Sequence, residues 1–358
     1  MALTSEHAIA ALRGVRDPDL GKDIVSLGFI KDVAVSGDSV KVKIELTTPG
    51  CPHKDVIERD ARAVLAQTGF TDVQFEFTAQ VRSNASADRK SVLPQVKNVI
   101  AVGAGKGGVG KSTIAVNLAV GLHRCGAAVG LMDGDIYGPS MPTMLGVKGV
   151  TPQVRGSKIL PHHVHGIYAV TIGSLVEHDK PLIWRGPMAH GAFKQLLIDN
   201  TDWPALDYLI VDLPPGTGDV PLSLCQLLPL VGAVVVATPQ QVALDDALRA
   251  VRMFQQLQTP VLGLVENMSY FVAPDGTEHD IFGRGGAKTA AREFNVPYLG
   301  AVPMVTELRV HSDSGQPELN FTTHPLLKKA LEELVGNVAA EVSKRNMQGP
   351  TPELRITG

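Results

Sequence analysis

At 358 residues the chain has room for about two domains, each with a hydrophobic core of its own. Apolar residues make up 44% and charged residues 19%, which excludes a disordered chain; the formal charge of -3 lacks the basic excess of a protein that chiefly grips nucleic acid. Three scattered cysteines exclude a disulfide scaffold, Pro229 and Gly232 break the longest apolar run, and the start lacks a secretion signal, so the expectation is a cytoplasmic protein with no nucleic-acid or membrane partner.

The first unit, expected over residues 1–82, reads as a small α+β domain. Ala8, Ile9, Ala11, Leu12 and Val15 recur at helical spacing, and Val40, Val42, Ile44 and Leu46 alternate with charged residues as a half-buried strand. After Thr47-Thr48-Pro49-Gly50-Cys51-Pro52 the pattern predicts a helix from about Lys54 to Gln67, stopped by Gly69. Val73, Phe75 and Phe77 then alternate as another strand. Residues 83–95, polar and poor in apolar side chains, read as a linker.

From residue 96 to 343 the texture is different. Apolar runs at 99–102, 129–132, 208–211, 233–237, 261–265 and 298–302 are separated by helical segments. Strands apolar on both faces and separated by helices predict a mostly parallel, doubly wound α/β sheet. Residues 344–358 read as a flexible tail.

Within this region Gly105-Lys106-Gly107-Gly108-Val109-Gly110-Lys111-Ser112 fits G-x-x-x-x-G-K-[ST], between a strand and a helix that begins near Thr113. Glycines let successive backbone N–H groups, Val109 among them, converge on phosphate oxygens, and the helix N-terminus adds its positive end. Lys111 would reach the β- and γ-phosphates and the Ser112 hydroxyl would ligate Mg²⁺. Asp133 and Asp135 end the next strand; one of the two would suffice as a helix cap. Asp212 ends another strand at the edge where open parallel sheets collect ligands, and Pro214-Pro215-Gly216-Thr217-Gly218 follows as a stiff turn. His163 and His165, with His162 beside them, read either as a strand-borne metal pair or as a solvated loop.

These segments, together with Trp184-Arg185-Gly186-Pro187 and Glu266-Asn267-Met268-Ser269, resemble the Mrp family of P-loop ATPases that act as iron–sulfur cluster carriers. The first unit is similar to the small iron–sulfur assembly domain that often precedes them. The resemblance covers almost the whole chain. It implies a Mg²⁺-dependent ATPase that works as a homodimer with ATP sandwiched between chains and serves apo iron–sulfur client or assembly proteins. Residue by residue it implies that Lys106 reaches the partner's nucleotide and that Asp135 positions the attacking water. Asp212 would hold Mg²⁺ through water, and Asn267 would read the adenine edge.

The family's usual Cys-x-x-Cys pair, which holds a [4Fe–4S] cluster between two chains, is missing. Its place is taken by Tyr270 to His279, where Pro274-Asp275-Gly276 signals a hairpin-like turn. Cys125 and Cys225 read as small packed residues, and His279 with Glu278 and Asp280 forms a weaker substitute set. Cys51, just before a predicted helix start, is the candidate cluster or thiol site, either a thiolate stabilised by the helix or a structural cysteine. Two other readings stay open: a positioning ATPase of the MinD or ParA class, and a nucleotide-gated interaction module that no longer carries a cluster.

Overall fold

The computed structural model describes residues 3–83, 92–135, 138–174, 191 and 193–347. Most of the linker, the segment Trp184 to Pro187, Ile136-Tyr137 and the last eleven residues of the expected tail lie outside the described residues. The described residues form two compact units, residues 3–82 with 339–347 and the described residues between 83 and 338.

In the first unit, helix α1 (Ser5–Leu12) opens at Thr4, whose hydroxyl accepts from the His7 N–H. Strands β1 (Ile30–Ser36) and β2 (Ser39–Leu46) form an antiparallel hairpin, and α2 (Lys54–Thr68) crosses over to β3 (Asp72–Ala79), which pairs parallel to β2. Gly69 ends α2 at φ 109, a left-handed backbone that favours glycine, which is the physical content of the expected stop. Leu12, Ile24, Phe29, Ile44, Ile57 and Leu65 form the core between helices and sheet. Phe75 and Phe77 are only half-buried and carry Arg62 and Lys54 over their rings, at 5.1 and 5.0 Å. Sequence periodicity did not reveal β1, because its exposed positions outnumber its half-buried ones.

The second unit is a nine-stranded sheet in the order β13-β12-β11-β4-β10-β5-β9-β8, with β14 beside β12. The six apolar runs are β4 (Val96–Gly103), β5 (Val129–Asp133), β10 (Leu206–Asp212), β11 (Leu230–Ala237), β12 (Val261–Val272) and β14 (Tyr298–Met304). All six run parallel, as does β9 (Ile167–Thr171); β8 (His162–Val164) and β13 (Glu278–His279) add antiparallel edges. The expected doubly wound α/β architecture is therefore present, with two short antiparallel strands added outside the apolar runs, one of them in the histidine segment read either as strand or as loop. A separate two-stranded ribbon joins β6 (Val154–Arg155) to β7 (Lys158–Ile159).

Helix α3 (Lys111–Arg124) follows β4 directly and is buried over most of its length, so the most deeply packed helix of the unit starts at the phosphate loop. The short turn α4 (Met141–Met144), α5 (Asp219–Leu227), α6 (Gln241–Gln256), α7 (Gly286–Glu293) and α8 (Thr306–Ser314) complete the layers, with a 3₁₀ turn at Pro317–Phe321. The last helix, α9 (Pro325–Met347), continues past residue 343, so the first four residues of the expected flexible tail are helical. Its end belongs to the first unit, where Lys344 pairs with Asp19 at 3.1 Å and Met347 packs against the apolar core. The apolar spacing that would have marked this continuation is masked by Lys344, Arg345 and Asn346, three polar residues in succession.

Candidate functional site

The carboxyl ends of β4, β5, β10 and β12 converge where strand order reverses around central β4, the place at which open α/β sheets bind ligands. Here the loop 103–110 turns from β4 into α3. Gly108 and Gly110 have φ 81 and 80, values that any side chain would strain. Gly105 has a different reason to be glycine, since a Cβ on it would overlap the carbonyl of Asp246 in α6. Val109 is buried beneath the loop, and Lys106 is half-buried with no carboxylate partner among the described residues. Gly107 has open space around it.

Lys111 and Ser112 begin α3 and both meet Asp212. The Lys111 Nζ lies 2.6 Å from Asp212 Oδ1 and 3.5 Å from Asp135 Oδ2, and the Ser112 hydroxyl donates to Asp212 Oδ2. Residues a hundred or more positions apart are thus brought together because β4 and β10 are paired neighbours, with Asp212 opposite Val102. Asp133 is opposite Asp212 on the other side of β10 and accepts from the Thr171 hydroxyl at 2.7 Å. Burial, with the charge of Asp212 second, pushes the Asp133 carboxyl up to about 7, while burial also raises Asp212 against the opposing pull of Lys111. The site is therefore one buried ammonium among three carboxyls, with Asp135 the most accessible of them.

Asn267, at the far side of the loop, donates from Nδ2 to the Val109 carbonyl at 2.8 Å. Its Oδ1 is buried and has no hydrogen-bond partner among the described residues, an acceptor waiting for a donor. The backbone places it by an irregularity: Met268 has φ 53, and the register between β12 and β14 shifts between Asn267 and Phe271. Beside it opens a cavity of about 410 Å³ lined by Thr113, Met144, Met268, Pro303, Met304 and Leu308, among others. Apolar walls with a few polar groups suit a flat heteroaromatic ring, whose amino group Oδ1 could accept. Glu266 next to Asn267 is structural: it accepts from the N–H groups of Gly285 and Ala287 at 2.8 Å each and holds the start of α7.

The turn after Asp212 is tied to the same loop, with the Gly216 N–H donating to the Ala104 carbonyl at 2.8 Å and Gly216 at φ 94. Sequence reading found Lys111, Ser112, Asp135, Asp212 and Asn267, which the fold brings together. It did not weigh Thr171 or the methionine-lined cavity, because neither belongs to a spaced motif.

The other candidates stand differently. Cys51 is mostly buried, and burial is the main reason its thiol is pushed up to about 11, with Asp17 and Asp19 adding to the rise. The helix it precedes starts at Lys54 with His53 as its cap, so the expected thiolate stabilisation is overruled by desolvation. Burial raises the Cys225 thiol to about 12; Cys125 is an exposed residue at the end of α3 rather than a packed one, its thiol raised by the part of it that is covered. The two histidine rings have separate partners: His163 stacks on Tyr168 at 4.7 Å, while His165, at φ 51, meets Glu318 at 2.7 Å and the Leu145 carbonyl. His279 stacks on Phe271, and Arg284 takes Glu278 at 2.7 Å and the face of Tyr270 at 4.0 Å. Among the described residues no three His, Cys, Asp or Glu side chains are grouped to hold a metal ion.

Known proteins resemble the chain in sequence and fold. Residues 95–339 match the family described as the NUBPL iron-transfer P-loop NTPase, and residues 6–75 match the iron-sulfur cluster assembly protein family. The chain is 47% identical to an iron-sulfur cluster carrier protein of Synechocystis sp., covering 95% of this chain and 98% of that one. It is 48% identical to a carrier of the same description from Deinococcus radiodurans, over 98% and 99% of the two chains. Among solved structures, a nucleotide-binding protein in complex with ADP from Archaeoglobus fulgidus is 36% identical, covers 68% of this chain and 95% of its own, and gives a TM-score of 0.58. The cell-division ATPase MinD of Pyrococcus furiosus shares the fold alone, at 22% identity over 67% of this chain and 98% of its own, with a TM-score of 0.50. The chain belongs to the iron-transfer P-loop NTPases, the family its motifs resemble, and carries an iron–sulfur cluster assembly domain in front of the nucleotide-binding fold.

Proposed function

We propose that the chain is a Mg²⁺-dependent ATPase that hydrolyses ATP as a homodimer and serves iron–sulfur cluster assembly, its clients being apo iron–sulfur or assembly proteins. The observation that carries the reading is the convergence of Lys111, Ser112 and Asp212 under the phosphate loop, beside a cavity that ends in the unpartnered Asn267 oxygen. Phosphoryl transfer depends mainly on positioning and charge stabilisation, and these residues supply both. Backbone N–H groups of residues 105–113 would bind the phosphates, and Asn267 Oδ1 would accept from the 6-amino group of adenine. Asp135 would hold the attacking water. Ser112 would ligate Mg²⁺ directly and Asp212 through water, the metal neutralising phosphate charge.

Lys106 is the residue assigned to the partner's nucleotide. Its half-buried place on the loop and the lack of an acidic partner among the described residues support a cation kept for a phosphate. Lys106→Ala is expected to leave ATP binding by the single chain within about twofold and to lower hydrolysis at least about tenfold. Turnover measured against protein concentration checks it: full activity at concentrations where the protein is monomeric overturns the sandwich-dimer reading.

The cluster, as cargo, has no ligand set among the described residues of one chain. Burial raises all three thiols above their ordinary values, and the hairpin that replaces the cysteine pair is closed by Arg284. This favours a second reading, in which nucleotide gates an interaction and no cluster is carried. Anaerobic reconstitution with iron and sulfide separates the two. The carrier reading expects near-stoichiometric cluster per dimer, lost in Cys51→Ala if that thiol is the ligand and kept if other groups are. Absence of cluster from wild type and variant alike, with ATPase activity intact, overturns carriage and leaves the gated module.

A further inference from the structure

Behind the nucleotide cavity runs a chain of three buried polar side chains that no step of the proposed reaction uses. Asn117 Nδ2 donates to the Thr113 carbonyl at 2.8 Å, Asn320 Nδ2 donates to Asn117 Oδ1 at 2.8 Å, and His311 Nδ1 lies 2.9 Å from Asn320 Oδ1. Asn117, Asn320 and His311 are exposed by only 1%, 0% and 8%. One end of the chain is therefore on α3, one turn from the phosphate loop, and the other on α8.

The direction of the chain is fixed by its far end. A carbonyl can only accept, so the Asn117 amide nitrogen must face Thr113 and its oxygen must face Asn320. Asn320 must then donate to Asn117 and accept from His311, so Nδ1 of His311 must carry a proton. Each amide nitrogen donates and each amide oxygen accepts along the chain, and no arrangement with one amide turned around satisfies all three junctions.

The chain joins two walls of the cavity. Thr113 lines one side, while Leu308, Arg309, Ser312 and Asp313 of α8 line another, and His311 on the same helix points to Asn320 instead. Helix α8 has only nine residues, too few to hold its place by itself. Its end is also held close, since Gly315 has φ 68 and a Cβ there would lie 3.0 Å from the Thr143 carbonyl.

We propose that the relay His311–Asn320–Asn117 positions α8 against α3 and so sets the affinity for the nucleoside part of the nucleotide, leaving the phosphate-binding end unaffected. These are positioning residues and touch no substrate. The inference rests on the nucleotide reading of the site. A relay that fixes the α8 wall relative to α3 predicts a difference between ligands that fill the cavity and ligands that occupy only the phosphate loop, and this difference can be measured.

The test compares ATP with inorganic tripolyphosphate by titration calorimetry, using the full chain and the variants His311→Leu, Asn320→Leu and His311→Asn. Each leucine variant is expected to weaken ATP about tenfold, with tripolyphosphate affinity and kcat at saturating ATP within about twofold, because a buried unpaired donor or acceptor is left beside one wall. His311→Asn, whose amide nitrogen can take the place of Nδ1, is expected to stay within about twofold of wild type for both ligands. Equal weakening of ATP and tripolyphosphate would mean a general loosening of α3 and overturns the proposal. So does unchanged ATP affinity in the leucine variants, or failure of His311→Asn to restore it. If Asn320→Leu does not fold, His311→Leu at the less buried end decides the matter. Failure of the wild type to bind ATP overturns the nucleotide reading itself, and this one with it.

Discussion

Lys111→Ala is expected to abolish ATP hydrolysis, lowering turnover at least about a thousandfold, since a single charge-stabilising donor in such a site is worth about 10²–10³ and this one serves both binding and transfer. Near-normal turnover in a phosphate-release assay would remove the phosphate-loop assignment. The same change acts on the protein without nucleotide. The ammonium lies 2.6 Å from Asp212, which is fully buried, and 3.5 Å from Asp135; Asp133 is on the neighbouring strand. Removing one partner of a buried pair leaves an uncompensated charge, at a cost of about 3–5 kcal/mol unless the carboxyl takes up a proton.

That proton uptake gives the prediction a sign. Asp212 already titrates above its ordinary value because of burial, and Lys111 is the main influence holding it down. Without Lys111 its folded-state pKa rises further above the unfolded value. The folded state then binds more protons than the unfolded state across the interval between the two values, so stability falls as pH rises through it. Thermal melts of Lys111→Ala at a series of pH values above the ordinary carboxylate range are expected to show a loss, relative to wild type, that grows as pH rises. Lys111→Met, which restores the apolar stem without the charge, is expected to show the same pH trend. A pH-independent loss in both variants would mean that packing, and not charge, is what Lys111 contributes to the fold.

The parallel sheet was legible because its strands are buried on both faces and so appear as unbroken apolar runs; β8 and β13, of three and two residues, leave no such trace. The phosphate loop was legible because its chemistry needs fixed spacing within eight residues. Asp212 and Asn267 were legible by position in a motif, but the reason they act together is strand order, which only the fold supplies. Cys51 shows the opposite case. Proximity to a helix start suggested a reactive thiol, yet burial and two nearby carboxylates outweigh two backbone hydrogen bonds, and neither burial nor those carboxylates can be read from adjacent residues. The relay from Thr113 to His311 joins residues separated by up to 203 positions and has no local pattern at all.

Glycine in the phosphate loop gives the second large effect, and it separates two reasons for one residue type. Gly105→Ala is expected to destabilise the second unit by about 3 kcal/mol or more, the upper range for overpacking, because the added Cβ meets backbone and not a side chain that could rotate away. Besides the Asp246 carbonyl it would lie 2.6 Å from the Ala247 nitrogen, so relief requires α6 or the loop itself to move. For a unit of this size that loss corresponds to roughly 6–12 °C in Tm. ATP affinity should fall with it, since a displaced Gly105 carries Lys106 and the loop's N–H groups out of register. Gly107→Ala is the control: nothing lies within 4 Å of its added methyl, and its melting temperature should stay within about 1 °C of wild type. A loop whose glycines served phosphate approach alone would melt alike in both variants and lose ATP binding alike. A lower Tm for Gly105→Ala alone, measured without nucleotide, would instead place the first glycine of the motif in the packing of the loop against α6.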